Sequence, residues 1–232
     1  MASDVDICNM ALATLGDSAS VSSINPPDGS AQSSHCARFY PIARDALLEM
    51  HTWGFSTTRA ALVPLVTNPS TDPYDTTKSV WAYAYASPPA VVNYLEVLDP
   101  ASTDEYAIGL QMAGTIPGTV NSGVSVYVPQ PFEIETDSNG NDIVYTNLQN
   151  AVLRYTQVVT DTTKFSPLFV EALAALLASH LAGPVIKGAE GRTAAKELTR
   201  DFFTWWKEKA VESDANQRRI NLTHSAPWMV RR

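Results

Sequence analysis

The residue types that most often carry catalysis or bind metals are present in this sequence, but their spacing matches no chemical motif. The histidines fall in four different predicted elements, and none belongs to a metal-binding motif such as HEXXH: they are His35, His51, His180 and His224. Ser34 precedes His35, but adjacent residues on a helix point in different directions, and no G-x-S-x-G nucleophile elbow is present. The spacing therefore predicts no catalytic residues, and we expect the protein not to be an enzyme.

The two cysteines, Cys8 and Cys36, each lie within a helical pattern. Neither has a nearby histidine or second cysteine at the spacing of metal ligands. We interpret both as small core residues. A disulfide between the two helices is the alternative, which a reducing compartment disfavours. We expect no metal ion and no cofactor.

The sequence DSNGND at 137–142 is similar to the start of a calcium-binding loop, because oxygen-bearing side chains stand there at alternate positions. However, the sixth residue of that loop would be Asp142 rather than glycine, and the twelfth would be Leu148 rather than a bidentate glutamate. A tight hairpin turn at Asn139-Gly140 explains the same residues, because both positions tolerate positive φ. The pattern favours the turn.

Alternating residues on predicted strands suggest two further faces. Glu133 and Glu135 would share one strand face, an arrangement that a pair of glycosidase carboxylates requires, but their hairpin context favours a solvated surface. Trp81, Tyr83 and Tyr85 alternate with smaller residues and would form one aromatic face. Such a face could stack bases or sugars, but burial in a sheet core or a subunit contact is the interpretation that we favour.

Charge is distributed unevenly along the chain, whose formal net charge is −8. Residues 1–165 carry 6 Lys and Arg against 17 Asp and Glu, whereas residues 215–232 carry 4 against 0. The acidic body argues against broad nucleic-acid binding, which needs clustered cations. No uninterrupted apolar run approaches the ~20 residues of a membrane span. Asp4 and Asp6 stand where a signal peptide would be positive, so we expect a protein made in the cytoplasm, without a membrane partner.

Hydrophobic periodicity divides the chain into helical and extended regions. Apolar residues recur at three- and four-residue steps in 3–16, 39–50, 166–183 and 192–213, which predicts helices. Residues between about 53 and 160 instead show alternation and β-branched or aromatic runs, including a strand at 124–128. The Gly183-Pro184 pair is expected to stop the third helix.

The predicted fold class is therefore α+β: a four-helix bundle of two N-terminal and two C-terminal helices, with an inserted β-rich region and an extended C-terminal tail. The predicted boundaries are 1–52 and 161–214 for the bundle, 53–160 for the insertion and 215–232 for the tail. Trp205 and Trp206 are adjacent on the last predicted helix, so one buried stripe does not hold both rings. We therefore expect these two residues to include a subunit contact.

Three segments in order resemble the head-to-tail adaptor family of tailed phages, whose members in short-tailed phages are called tail tubular protein A. The segments are ICNMALATLGD, CARFYPIARDALLEMHTWGFSTTRAAL and LRYTQVVTDTTKFSPLFVEALAALLASHLA. The similarity covers roughly residues 3–214, and its most specific pieces are YPIARDALLEMHTWGF and the stretch from Tyr155 to Ala182. These pieces are packing signatures rather than catalytic motifs.

The resemblance implies a structural virion protein at the head–tail junction. Its members form a ring, expected here to hold twelve copies, between the portal protein and the next tail or nozzle component. DNA would leave the capsid through the lumen of that ring without being bound specifically. An acidic wall suits such a channel, because like charge keeps phosphates from adhering.

The terminal segment 215–232 is then expected to dock on the portal. Its arginines would bind carboxylates in bidentate fashion, and its apolar pair would fill a pocket: the residues are Arg218, Arg219, Arg231, Arg232, Trp228 and Met229. A loose, solvated terminus is one alternative. Another is a DNA-end-binding head-completion protein that grips the genome through this basic tail. A cell-wall-cleaving virion enzyme would need a catalytic residue set, and the sequence offers none.

Overall fold

The computed structural model describes residues 2–18, 20–65, 81–100 and 130–217. Within these ranges the chain forms two compact units. Of the described residues, the first unit, here called the helical unit, combines those up to Thr57 with 157–217, and the second, the sheet unit, comprises those between Thr58 and Thr156. The strand predicted at 124–128 lies outside the described residues.

The helical unit begins with two capped helices, α1 (Asp4–Thr14) and α2 (Ala31–Glu49). The hydroxyl of Ser3 accepts a hydrogen bond from the backbone N–H of Asp6, whose carboxylate accepts one from the backbone N–H of Ser3. Ser30 caps α2 in the same way, by accepting from the N–H of Ser33 at 3.1 Å. These caps satisfy backbone donors that a helix start leaves unpaired, and they fix where both helices begin. Helix α2 therefore begins at Ala31, eight residues before the predicted range of 39–50.

Helix α3 (Pro167–Ile186) lies at the centre of the helical unit. Its buried residues point in all directions around the axis, from Phe169 through Ala172, Ala174 and Leu177 to Ala182. A helix that is apolar on all sides belongs inside a core. By length and composition α3 could also cross a membrane, but 67% of its most apolar window is buried inside the protein.

Helix α3 does not stop at Gly183-Pro184 as the sequence suggested, but continues to Ile186. The turn comes at Lys187 and Gly188, whose φ angles are +64° and +65°. Helix α4 (Gly188–Asp201) then runs back against α3. A Cβ atom on Gly191 would lie 2.9 Å from the carbonyl oxygen of Ala182. Glycine at this position therefore permits the close approach of α3 and α4.

A π-helical turn, Phe202–Trp206, and helix α5 (Lys207–Gln217) continue α4 without interruption. The helical unit thus places a long C-terminal helix on the central helix. Its hydrophobic core also includes Ile7, Leu12, Leu47, Trp53 and Phe202, all fully buried.

The sheet unit contains two antiparallel sheets. Strands β1 (Thr57–Ala61), β7 (Val152–Gln157) and β4 (Val91–Leu98) form one sheet in the order β1-β7-β4. The other has the order β2-β3-β6-β5, formed by β2 (Val63–Pro64), β3 (Tyr83–Ala86), β6 (Asp142–Thr146) and β5 (Phe132–Thr136). In the hairpin of β5 and β6, Ile134 pairs with Val144.

The predicted four-helix bundle with an inserted β-rich region is wrong. Among the described residues the structure is a mixed α+β fold that combines helices with seven strands in two antiparallel sheets. The strands are more than an appendage, because they enclose a separate hydrophobic core around Tyr85, Val144 and Leu153. In a four-helix bundle each helix packs against its neighbours in a similar way. Here α1 and α2 instead pack mainly on α3 and hardly on each other. The bundle prediction assumed one apolar stripe on α3, whereas every side of this helix carries buried residues.

Candidate interaction surface

The π-helical turn Phe202–Trp206, here called the aromatic turn, is the most unusual element of the helical unit. The backbone N–H of Lys207 donates to the carbonyl oxygen of Phe202, five residues earlier, instead of to the residue four earlier. Such wide turns are rare in proteins, and those that do occur often lie at functional sites. The sequence of the turn, FFTWW, holds four aromatic residues in five positions.

Packing explains why the helix widens at this point. Leu198, Phe202, Trp206, Ala210 and Asp214 follow one another at four-residue steps, and all belong to the buried or partly buried side of the helix. In a regular α-helix each such step advances by about 40° beyond a full turn, so the row would rotate out of the core. The wider π turn offsets this drift, because it takes more residues to complete a revolution.

Phe203 and Trp205 lie on the outside of the aromatic turn and are 45% and 57% exposed. Two residues two positions apart point about 200° apart in a regular α-helix and somewhat less far apart in a wider π turn, so in either case they face nearly opposite directions. The two rings therefore occupy opposite flanks of the helix, on either side of the buried row. Each ring has a lysine four residues later: Lys207 Nζ lies 5.7 Å from the centre of the Phe203 ring, and Lys209 Nζ lies 5.4 Å from that of Trp205.

The predicted tryptophan pair divides between core and surface. Trp206 packs against the core of the helical unit, whereas Trp205 is exposed. Large exposed aromatic rings are typical of protein interfaces. The sequence analysis did not identify Phe203 as an exposed aromatic residue. Its position two residues before Trp205 would have placed it on the second flank. Whether Trp205 and Trp206 contact a subunit stays a prediction.

Asp214 fixes the end of the long C-terminal helix. Asp214 is only 4% exposed, and its Oδ1 accepts a 2.8 Å hydrogen bond from the backbone N–H of Gly54. Its Oδ2 lies 3.3 Å from Nε2 of His51. The loop that carries both partners is itself held by Trp53, which is fully buried and donates from Nε1 to the carbonyl oxygen of Leu47 at 2.8 Å.

Asp214 was also missed in the sequence. The signal for it was a carboxylate standing in the row of inward positions that begins at Leu198, where an apolar residue would be expected. Asp214 therefore ties the last described turn of α5 to the loop after α2. The predicted docking residues Arg218, Arg219, Trp228, Met229, Arg231 and Arg232 lie outside the described residues.

The histidines are not brought together. His51 lies beside Asp214, and the ring of His180 stacks on Phe39 with centroids 6.0 Å apart. Burial lowers the pKa of His180 below its ordinary value, because it disfavours the charged imidazolium. The hydroxyl of Ser34 donates to the backbone carbonyl of Ser30 rather than to His35. His224 lies outside the described residues.

Cys8 and Cys36 face each other in the core of the helical unit, and both are fully buried free thiols. Their hydrogen bond, together with burial, raises the pKa of Cys8 well above its ordinary value. A thiol held neutral and away from solvent is a poor nucleophile. The geometry therefore suits two core residues that pack together.

In the hairpin turn the carboxylate of Asp137 is hydrogen-bonded to the backbone of the turn itself. Oδ1 of Asp137 accepts hydrogen bonds from the backbone N–H groups of Asn139 and Asn141, each at 2.8 Å. These bonds lower the pKa of Asp137, with the Asn141 backbone contributing most. Gly140 has a φ of +83°, as the turn requires. Within the described ranges, no three His, Cys, Asp or Glu residues are grouped closely enough to hold a metal ion.

The remaining strand residues are accounted for by packing and surface contacts. Tyr85 is fully buried and Tyr83 packs on the same sheet core, with ring centroids 6.3 Å apart. Trp81 donates from Nε1 to a carboxylate oxygen of Glu133 at 2.9 Å. Glu133 and Glu135 are both exposed on β5. This arrangement is a sheet core with a solvated edge rather than a stacking platform.

Known proteins do not place this chain in a family. No protein-family model matches it, and no curated protein sequence matches it. The resemblance of its helical segments to phage adaptors therefore remains an expectation from the sequence, and the surface that the geometry singles out is the aromatic turn with its two exposed rings.

Proposed function

We propose that this protein is a structural virion component, a head-to-tail adaptor that forms a ring between portal and tail and surrounds the DNA exit channel. The observation that carries the proposal is the position of Phe203 and Trp205 on opposite flanks of one anchored helix. The order of helical segments that resembles phage adaptors supports it from the sequence.

Opposite flanks are what a ring subunit needs. A ring closes through head-to-tail contacts, in which each subunit meets one neighbour with one surface and the other neighbour with a different surface. The long C-terminal helix offers one exposed aromatic ring, with its lysine, on each flank. A twelve-fold ring is the number that the resemblance implies.

The docking of the tail on the portal is the second part of the proposal. The anchor at Asp214 supports it, because a fixed helix end gives the following segment a defined starting point. Four arginines and no carboxylate side chains follow, together with Trp228 and Met229. Bidentate arginine contacts and an apolar anchor are typical of a binding segment.

A deletion of residues 218–232 tests the proposal while keeping Asp214 and Gln217 in place. We expect the shortened protein to keep the far-ultraviolet circular dichroism spectrum and thermal midpoint of the full chain. Negative-stain images with purified portal should then show full-length rings on the portal and none for the deletion. A deletion variant that decorates the portal as well as the full chain would refute tail docking.

DNA-end binding is the second candidate, favoured by the four clustered arginines. It predicts duplex binding whose affinity falls steeply with salt, with a logarithmic slope of about −3.6 if all four arginines release counterions. Replacing Arg218, Arg219, Arg231 and Arg232 together by alanine should abolish that slope. Portal docking predicts instead that the same variant loses the portal while the wild-type chain shows no such DNA binding.

A further inference from the structure

A groove of about 450 Å³ lies beside the aromatic turn, within the helical unit. Helix α1 forms one wall, α3 the floor and α4 the other wall. Its apolar lining consists of Met10, Ala13, Ala174, Ala175, Leu198 and Trp206. The lining residues on α3 include the small side chains of Ala174 and Ala175, and Trp206 contributes from the aromatic turn.

Two carboxylates stand at the edge of this groove, on Glu171 and Asp201. Glu171 is exposed, and Asp201 is 57% exposed in its side chain. Arg200 Nε lies 3.6 Å from the Asp201 carboxylate, but this pair is largely exposed and therefore weak. The groove thus combines an apolar floor with a negatively charged rim.

We infer that this groove binds the apolar end of the protein's own C-terminal segment, Pro227–Val230, when no partner holds it. The segment has the complementary chemistry: Trp228 and Met229 suit the apolar floor, and Arg231 and Arg232 suit the carboxylates of the rim. No carboxylate side chain occurs in 215–232, so nothing in this segment repels that rim.

The length of chain beyond Gln217 is sufficient for this docking. Gln217 lies eleven residues after Trp206, which is about 16 Å along a helix. The eleven residues from 218 to 228 reach up to about 36 Å when extended. A tethered segment meets its site at an effective concentration in the millimolar range, far above that of a second protein molecule in micromolar solution. Binding within one chain is therefore favoured over exchange between chains.

Disulfide trapping in the isolated full-length protein tests this inference. Thr14 lies at the exposed edge of the groove and bonds only to its own helix through its hydroxyl. The test variant carries Thr14→Cys with Val230→Cys, which leaves Trp228 and Met229 intact. The control carries Glu208→Cys with Val230→Cys, because Glu208 is exposed, lies outside the groove and is nearer to the start of the segment. The native cysteines are fully buried and do not compete.

We expect the Thr14 pair to close at least about tenfold faster than the Glu208 pair, because a docked segment has a raised effective concentration only at its site. The product should be an intramolecular disulfide whose rate does not depend on protein concentration. Equal rates for the two pairs would overturn the inference. Covalent dimers alone, forming faster at higher concentration, would also overturn it and indicate docking between chains.

Charge reversal gives an independent readout in the same Thr14–Val230 background. Glu171→Lys with Asp201→Lys should slow disulfide formation several-fold, whereas Glu208→Lys with Glu212→Lys should leave the rate unchanged. Equal slowing by both double variants would contradict recognition by the rim. Because no portal is present, failure of this docking leaves the portal proposal standing, and loss of portal binding leaves this docking standing.

Discussion

The carboxylate of Asp214 accepts a 2.8 Å hydrogen bond from the backbone N–H of Gly54, a residue 160 positions earlier in the chain. This contact ties the last helix to the loop after α2. A Cβ atom on Gly54 would lie 3.2 Å from the same carboxylate oxygen, so a glycine leaves room for it. The position of the last helix therefore depends on a long-range contact rather than on local helix propensity alone.

Asp214→Ala should lower the free energy of unfolding by about 1–3 kcal/mol, because it leaves the Gly54 N–H without its acceptor in a partly buried position. Urea denaturation followed by tryptophan fluorescence measures the change. Glu212→Ala is the matched control on the same helix, since Glu212 is exposed and its hydrogen bond is to the exposed side chain of nearby Lys209. An equal loss in both variants would mean that the Asp214 contact adds nothing specific.

Gly191→Ala should destabilise the contact of α3 with α4, because its Cβ would lie 2.9 Å from the backbone oxygen of Ala182. Overpacking of this kind costs about 1–3 kcal/mol. Gly183→Ala is the control within the same helical pair, since nothing lies within 4 Å of its Cβ position. Alanine there should raise stability by up to about 1 kcal/mol through helix propensity. Thermal unfolding of both variants should show shifts of opposite sign.

Trp205→Ser and Phe203→Ser should each leave the thermal midpoint nearly unchanged, because both side chains are exposed. Each should reduce the number of rings seen by negative stain with the portal, since each removes one flank of the proposed subunit contact. Phe202→Ala provides the contrast: this fully buried ring should cost about 3–5 kcal/mol of stability. Normal ring formation by both serine variants would exclude the flanks from assembly.

The stabilisation that the Asp28 carboxylate provides should be lost in acid. Its carboxylate accepts hydrogen bonds from the hydroxyl and backbone of Ser30 and from the backbone of Ser22, and the Ser30 hydroxyl contributes most to the lowered pKa. A lowered folded pKa means that the folded state binds fewer protons. This stabilisation is full above the ordinary pKa of about 3.9 and is lost as pH falls through the folded value.

Denaturation measured between pH 5 and pH 2, a range chosen to span the ordinary carboxyl pKa of about 3.9, should therefore show a shallower loss of stability for Asp28→Asn than for the wild type. The variant should already be less stable at neutral pH, because an amide is a weaker acceptor than a carboxylate. Asp17→Asn serves as a comparison in the same loop between α1 and α2. Parallel curves for Asp28→Asn and the wild type would show that Asp28 does not contribute to the acid transition.

Local sequence patterns were sufficient for the features that depend on neighbouring residues. Ser3 and Ser166 mark helix starts because each accepts from a backbone N–H three residues later. The start of α2 at Ser30 was missed, because the apolar periodicity of that helix is clear only from Phe39 onward. Asn139-Gly140 marks a hairpin because glycine adopts positive φ without strain. The divergence of Trp205 from Trp206 likewise follows from the helical repeat alone.

Only the tertiary structure decided how these elements combine. The apolar positions of α3 read as one stripe in sequence, but the helix is central because α1, α2 and α4 each cover a different side of it. The bond from Gly54 to Asp214 joins residues 160 positions apart, and the close approach at Gly191 depends on how α4 folds back on α3. The sequence by itself determined the elements, because they arise from contacts within a few residues. Long-range packing decided the fold and the exposed flanks of the last helix, because it selects which of several apolar faces are buried together.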